Sequence, residues 1–276
     1  MTDIKGRTAF ITGGANGIGL GIARRLAREG VKLALVDLEA DALARAKAEL
    51  QNITQVETFV LDVRDRAAYA ITAEAAERAL GPVTLLFNNA GVAGGDSVKK
   101  LTYEQWDFYI NINLYGVING LMAFLPKMIE RGLSGHIVNT ASGAGLVASG
   151  AGILYTTSKY AVVGLSEELR INPDLINSGI GVSVLCPARV ATDIVKRSMD
   201  ASPKAKMQLT QEQERKIAEA IETANQMILQ HGISIDVVGE MVLKAVQENA
   251  LYIITDREVE GLIKARSKAL LEALPD

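Results

Sequence analysis

Tyr155 and Lys159 stand four residues apart, Ser142 precedes the tyrosine by thirteen positions, and Thr12-Gly13-Gly14-Ala15-Asn16-Gly17-Ile18-Gly19 lies near the start of the chain. These residue types suit one kind of chemistry. Moving a hydride to or from a carbinol carbon needs a group that takes the hydroxyl proton in one direction and returns it in the other. A tyrosine, with an ordinary pKa near 10, is a weak base at neutral pH. If Tyr155 and Lys159 share a helix, the i, i+4 spacing puts both on one face, where the ammonium favours the phenolate. Two or three units of pKa depression would ask roughly 3 to 4 kcal/mol of nearby positive charge. The Tyr-x3-Lys pair, a lone serine or a glycine-rich turn is each common by itself. Their combination couples a proton-transfer group to a turn that can bind a dinucleotide.

The elements that must position these groups can be read from the alternation of short apolar runs with longer segments of helical period, the pattern of repeated βα units around a parallel sheet. Strands are expected at Thr8–Ile11, Lys32–Val36, Glu57–Leu61, Leu85–Asn88, His136–Thr140, Gly181–Leu185 and Leu251–Ile254. Ile18, Ile22 and Leu26 recur every four residues after the glycines, and Gly30 offers a stop, so an amphipathic helix follows the turn. A strand-turn-helix junction of this kind aims backbone N–H groups and a helix dipole at a pyrophosphate. Asp37 ends the second strand, where a carboxylate can accept hydrogen bonds from adenosine ribose hydroxyls. Asn16 and Leu38, the places where a basic residue would most readily meet a 2′-phosphate, are uncharged. NAD is therefore preferred over NADP. Ser142 falls just beyond the His136–Thr140 strand, at the carboxyl end of the sheet, where its hydroxyl can stabilise charge on a substrate oxygen.

Composition sets the boundaries. The chain has 276 residues, 49% of them hydrophobic, a net charge of −3 and no long run of like charges. It can bury one large core, and nucleic acid and acidic membranes are poor partners for it. No linker or repeat divides residues 1–276, so one doubly wound α/β domain of Rossmann type is expected, with seven parallel strands and helices on both faces. No apolar stretch reading as a membrane span and no signal segment is found, and Cys186 is the only cysteine, which favours a reducing cytoplasm. His136 opens a strand and His231 lies in a variable region; no metal-ligand spacing is present.

In order along the chain, the TGxxxGxG turn at Thr12–Gly19, Asp62-Val63, Asn88-Asn89-Ala90-Gly91, Asn113, Ser142, Tyr155 with Lys159, and Pro187 through Thr192 resemble the short-chain dehydrogenase/reductase family. The resemblance implies an oxidoreductase using NAD. It implies that Gly13, Asn16, Gly17, Ile18, Gly19 and Asp37 hold the cofactor together with Asn89, Ala90, Gly91, Pro187, Val190, Thr192, Tyr155 and Lys159. In such proteins Asp62 and Val63 hold the adenine ring and Thr192 meets the nicotinamide carboxamide. The family spacing selects Ser142 over Ser149, and Asn113 matches an asparagine that holds a water in the proton path from Lys159, with Asn111 as the alternative assignment. The family commonly dimerises through the helix bearing Tyr155 and the one around Thr102–Ile129, so a homodimer or homotetramer is expected.

Substrate residues are Ala144, Ile153 and Arg189, in surroundings that are otherwise small or apolar, which suits a hydrophobic secondary alcohol or ketone. The segment 194–235 corresponds to a substrate lid, with Ile217, Ile221, Ala224 and Ile228 at helical spacing, and it resembles that of bacterial dehydrogenases for bulky aryl alcohols. Asn172-Pro173 should kink or end the helix bearing Tyr155. Pro187-Ala188 replaces the usual Pro-Gly, and Arg257–Leu274 is an amphipathic C-terminal helix. A cofactor-binding regulatory protein, or a sugar-nucleotide epimerase or dehydratase on the same scaffold, are the alternative readings.

Overall fold

Largely apolar runs become the strands β1 (Thr8–Thr12), β2 (Lys32–Asp37), β3 (Val56–Val60), β4 (Val83–Asn88), β5 (Gly135–Thr140), β6 (Ile180–Cys186) and β7 (Tyr252–Ile254), buried along nearly their whole length except in β3 and β7. The computed structural model describes residues 4–95, 97–203 and 210–275. All seven strands lie in one parallel sheet of order β3-β2-β1-β4-β5-β6-β7. The order reverses between β1 and β4, so the carboxyl ends of those two strands open the crevice in which such sheets take ligands. Each expected strand is present, with ends shifted by one or two residues.

Helices cover both faces. On one side α1 (Gly17–Arg28), α2 (Ala40–Leu50) and α10 (Ile235–Glu248) bury Ile22, Leu26, Leu43, Leu50, Val238 and Val242 against β1 and β2. On the other, α3 (Arg66–Leu80), α5 (Gly116–Arg131) and α6 (Ile153–Ile171) pack Tyr69, Phe124 and Val162 around Phe10 and Leu86. As Pro173 requires, α6 stops at Ile171; Asn172 then caps α7 (Pro173–Asn177) by accepting from the Asp174 N–H. The lid segment forms α8 (Ile194–Ala201) and α9 (Gln211–His231), and the C-terminal helix is α11 (Glu260–Glu272). The side chain of Ile217 lies outside the described residues; Ile221, Ala224 and Ile228 are half-buried.

One expectation needs amending. A capping box at Thr102 and Gln105 starts α4 (Tyr103–Ile110), which runs through a π-helical turn, Asn111–Tyr115, directly into α5. This continuous stretch, Tyr103–Arg131, is by length and composition apolar enough to cross a membrane, contrary to the reading from sequence. Half of its most apolar window is buried inside the fold, where α5 supplies Val117, Leu121, Phe124 and Met128 to the core.

His136, fully buried in β5, gives the fold a pH dependence. Ser183 Oγ donates to the Ala250 carbonyl at 2.5 Å, so the 2.8 Å contact between His136 Nε2 and Ser183 Oγ uses the imidazole N–H as donor. Nδ1 has no acceptor for a second proton. Burial, aided by the Arg170 charge, lowers the pKa to about 3. The unfolded chain protonates this ring near pH 6.5, so between pH 6.5 and 3 the unfolded state binds more protons and stability falls with falling pH. Denaturant unfolding at pH 4.5 and 7.5 should show a loss of roughly 2 to 3 kcal/mol attributable to His136. A His136→Gln variant should lack this component; an unchanged difference between the two pH values would contradict the assignment.

Candidate active site

The end of β1 leads into a turn whose backbone only glycine tolerates. Gly17 has φ of +50°, and a Cβ there would press on the Thr192 methyl at 3.1 Å; a Cβ on Gly19 would collide with the Gly13 carbonyl oxygen. The helix α1 thus begins tight against the turn. Asn16 makes no side-chain cap, which leaves the first-turn N–H groups of α1 without a side-chain acceptor and suited to an anion.

Over the β1/β4 crevice lies a cavity of about 370 Å³. At one side it is lined by Asp37, Leu38, Glu39, Leu61, Asp62 and Val63, at the other by Thr140, Tyr155, Lys159, Pro187 and Thr192. Between them come Gly13, Asn16, Gly17, Ile18, Asn89, Ala90 and Gly91. The Thr12 hydroxyl fixes this middle section by accepting from the backbone N–H of Asn89 and of Ala90 at 3.0 and 3.1 Å. Gly19 and Val190 do not line the cavity. Gly19 acts through the close approach just described, and Val190 is buried, paired in a parallel bridge with Ile233. Asp37 accepts from the Ala15 N–H at 3.3 Å. The Asp62 carboxylate is held below its usual pKa range, chiefly by hydrogen bonds from the Arg64 guanidinium.

The chemical groups gather where β4, β5 and α6 meet. Lys159 is 3% exposed, and its Nζ donates to the Thr140 carbonyl at 3.0 Å and sits 5.7 Å from the Tyr155 ring centre. Asn113, buried in the π-helical turn, accepts from the Val92 N–H at 2.9 Å and donates to the Val92 carbonyl and to Ser158 Oγ, each at 3.0 Å. A Cβ on Gly91 would lie 3.1 Å from Asn113 Oδ1 and 3.3 Å from Lys159 Nζ, so Asn113 and Lys159 converge on the same glycine. Asn111 makes no such contact with Val92. Ser142, extended at φ −173°, accepts from the Ala144 N–H at 3.1 Å and opens a 3₁₀ turn over Gly143–Gly145.

The electrostatics differ from the sequence expectation at Tyr155. Burial raises its pKa, a hydrogen bond with Ser142 lowers it in part, and Cys186 raises it. Its burial in the protein alone therefore favours the phenol; the Lys159 ammonium is directed at Thr140 and is itself destabilised, burial bringing Lys159 down to about 8. Cys186, fully buried, is pushed up to about 12 and is an unreactive thiol.

Of the expected substrate residues, Ala144 is buried beside Ser142 and Ile153 is 44% exposed at the start of α6. Arg189 points to Glu258, with hydrogen bonds of 3.2 and 2.7 Å, and does not line the cavity. The sequence reading missed the C-terminal arm that makes this pair. The Pro187–Ala188 peptide offers its carbonyl to the Gly143 N–H at 2.9 Å and its N–H to Thr255 Oγ1 at 3.0 Å. A Cβ on Gly143 would meet Val259 at 3.0 Å. Residues after β7 thus brace the loop that bears Ser142. Also missed was Arg197, which lines the cavity from α8.

A family model described as short chain dehydrogenase matches residues 7–203. Over its full length the chain is similar to a C alpha-dehydrogenase of Sphingobium sp., with 37% identity covering 99% of this chain and 88% of that one. A CLA biosynthesis dehydrogenase/reductase of Lactiplantibacillus plantarum is 31% identical, covering 100% and 97%. Among solved structures, a short chain dehydrogenase/reductase from Burkholderia phymatum in complex with NAD is 34% identical, with a TM-score of 0.88 over 100% of this chain and 98% of that one.

Proposed function

The chain belongs to the short-chain dehydrogenase/reductase family, and from that premise we propose that it interconverts a hydrophobic secondary alcohol, aryl or otherwise bulky, and its ketone with NAD as cofactor. The observation that carries the reading is that Tyr155 and Lys159 line one side of a cavity whose other side ends on the Asp37 carboxylate, with Ser142, buried just behind that lining, hydrogen-bonded to Tyr155. The cavity fits a dinucleotide by its glycine turn, its open helix N-terminus and its ribose-facing carboxylate. Gly13, Asn16, Gly17 and Ile18 would hold the pyrophosphate, Asp37 the adenosine ribose, Asp62 and Val63 the adenine, and Asn89 to Gly91, Pro187 and Thr192 the nicotinamide half. When bound, the nicotinamide supplies the hydride donor or acceptor and, oxidised, a positive charge.

The chain's own residues handle the proton. In reduction the Tyr155 hydroxyl, kept protonated by burial, gives its proton to the carbonyl oxygen while the Ser142 hydroxyl donates a second hydrogen bond to that oxygen. In oxidation the direction reverses. Lys159, with a pKa brought down to about 8, can take up or release a proton near neutral pH and so exchange it with Tyr155, while Asn113 fixes the Val92 backbone beside it. Val92 and Ile112 line the cavity with apolar surface, and Arg189 is occupied by Glu258, which disfavours a carboxylate substrate. The full-length similarity to a C alpha-dehydrogenase supports an aryl alcohol. Assembly as a homodimer or homotetramer and a cytoplasmic setting belong to the same proposal.

The test is the near-ultraviolet absorbance of reduced nicotinamide, followed with NAD⁺ or NADP⁺ and a panel of benzylic, steroid-like, aliphatic and polyol substrates. Turnover of bulky benzylic alcohols with NAD⁺, and little with polyols, is the expected result. Tight NAD⁺ binding with no turnover across the panel would overturn the substrate class and favour a regulatory role.

A further inference from the structure

The helix α8 crosses the cofactor crevice and is fastened on both banks. On one, Ser198 Oγ, buried beneath the helix, accepts from the Ala93 N–H at 2.8 Å, just after β4. On the other, the Arg197 guanidinium reaches the β2–α2 turn. Its Nε and Nη2 both donate to Glu39 Oε1, at 3.0 and 2.6 Å, and Nη2 lies 3.5 Å from Asp37 Oδ1. With its amide oxygen turned inward, Asn16 accepts from Nη1 and Nη2 at 2.9 Å each. Sequence reading places no basic residue at this corner because Asn16 and Leu38 are uncharged; the fold delivers one from 158 positions away.

We propose that Arg197 and Glu39 together determine which nicotinamide cofactor the crevice accepts: Arg197 reads the adenosine ribose from α8, and Glu39, by occupying its guanidinium, turns the site against a 2′-phosphate. The proposal rests on the oxidoreductase reading above. A guanidinium presents a planar fork that matches a phosphate through two parallel hydrogen bonds. Here the Nε–Nη2 edge of that fork is taken by Glu39. The corner holds two carboxylates, Asp37 and Glu39, and one guanidinium, so it keeps a net negative charge that leaves a ribose hydroxyl unopposed and repels a phosphate. Without Glu39 the charges of Asp37 and Arg197 cancel and the Nε–Nη2 edge is open. The Glu39 side chain does not cap α2, so its removal spares that helix.

The experiment measures dissociation constants of the full-length protein for NAD⁺ and NADP⁺ by calorimetry, in the absence of substrate. Relative to the wild type, Glu39→Ala should bind NADP⁺ roughly tenfold more tightly, the scale expected when one unit charge a few ångströms from a partly exposed phosphate is removed, and NAD⁺ within about threefold. Glu39→Ala with Arg197→Ala should lose that gain. An unchanged NADP⁺ affinity in Glu39→Ala, or a gain that persists without Arg197, overturns the role of this pair while leaving the oxidoreductase reading intact. A wild-type protein that binds neither dinucleotide overturns that reading itself.

Discussion

Tyr155→Phe is expected to lower kcat/KM by about 10² to 10⁴ in both directions while NADH binding and thermal stability stay near wild type, the range usual for loss of a general acid–base group. The ring remains to fill its place beside Lys159, so the change isolates the hydroxyl. Nothing else described at this end of the cavity can replace it. Ser142 has no neighbouring base, Lys159 is turned to the Thr140 carbonyl, and Cys186 is buried with its proton firmly held. The raised pKa of Tyr155 adds a directional signature. Reduction, which needs the phenol, should hold its rate across neutral pH, whereas oxidation, which needs the proton gone, should accelerate as pH rises. Steady-state kinetics in both directions, with NADH binding followed by fluorescence, provide the check. A folded, NADH-binding Phe variant that turned over at the wild-type rate would remove Tyr155 from the mechanism.

The sheet was legible because its central strands are buried on both faces, so that they read as mostly apolar runs such as Leu33–Val36 or Val182–Cys186, the latter broken only by Ser183. The glycine turn and Asp37 were legible because the strand, the turn and the helix that combine them are neighbours in the chain. Pro173 announced its own helix boundary. What could not be read depends on contacts between distant segments. Arg197 meets Glu39, Thr255 meets Ala188 and Val259 covers Gly143, and no local spacing encodes those meetings. The π-helical turn that aims Asn113 at Val92 joins two helices into the continuous stretch Tyr103–Arg131, and only as one helix does that stretch become long and apolar enough to cross a membrane. The direction of the Tyr155 shift in the protein alone could not be read for a related reason. Helical spacing brought Lys159 to the right face, but desolvation, a property of the packed core, dominates both groups.

Lys159→Met is expected to abolish most turnover and, at the same time, to stabilise the protein. At pH 7 the lysine is charged in the folded and in the unfolded chain, yet in the fold its pKa is drawn from 10.5 to about 8, so the native state bears a penalty of roughly 3 kcal/mol for holding the buried ammonium. Methionine matches the stem and carries no charge. It leaves the Thr140 carbonyl without its 3.0 Å donor, which costs about 1 kcal/mol, so a net gain of about 1 to 2 kcal/mol should remain. For a chain of this size that corresponds to a rise of a few degrees in Tm. The pH dependence identifies the source. Between pH 8 and 10.5 the unfolded wild-type chain holds a proton that the folded one has released, so wild-type stability should climb with pH over that window, and the variant should not share the climb. Turnover should fall at least about 10²-fold, since Tyr155 loses its route for proton exchange. A variant less stable than wild type at pH 7, with the alkaline climb intact, would show that the ammonium is well accommodated in the fold. On the proposed mechanism, a buried charge that weakens the fold and is nonetheless held 5.7 Å from the Tyr155 ring centre is kept for what it does for that hydroxyl, since its one hydrogen bond, to the Thr140 carbonyl, returns less than the burial costs.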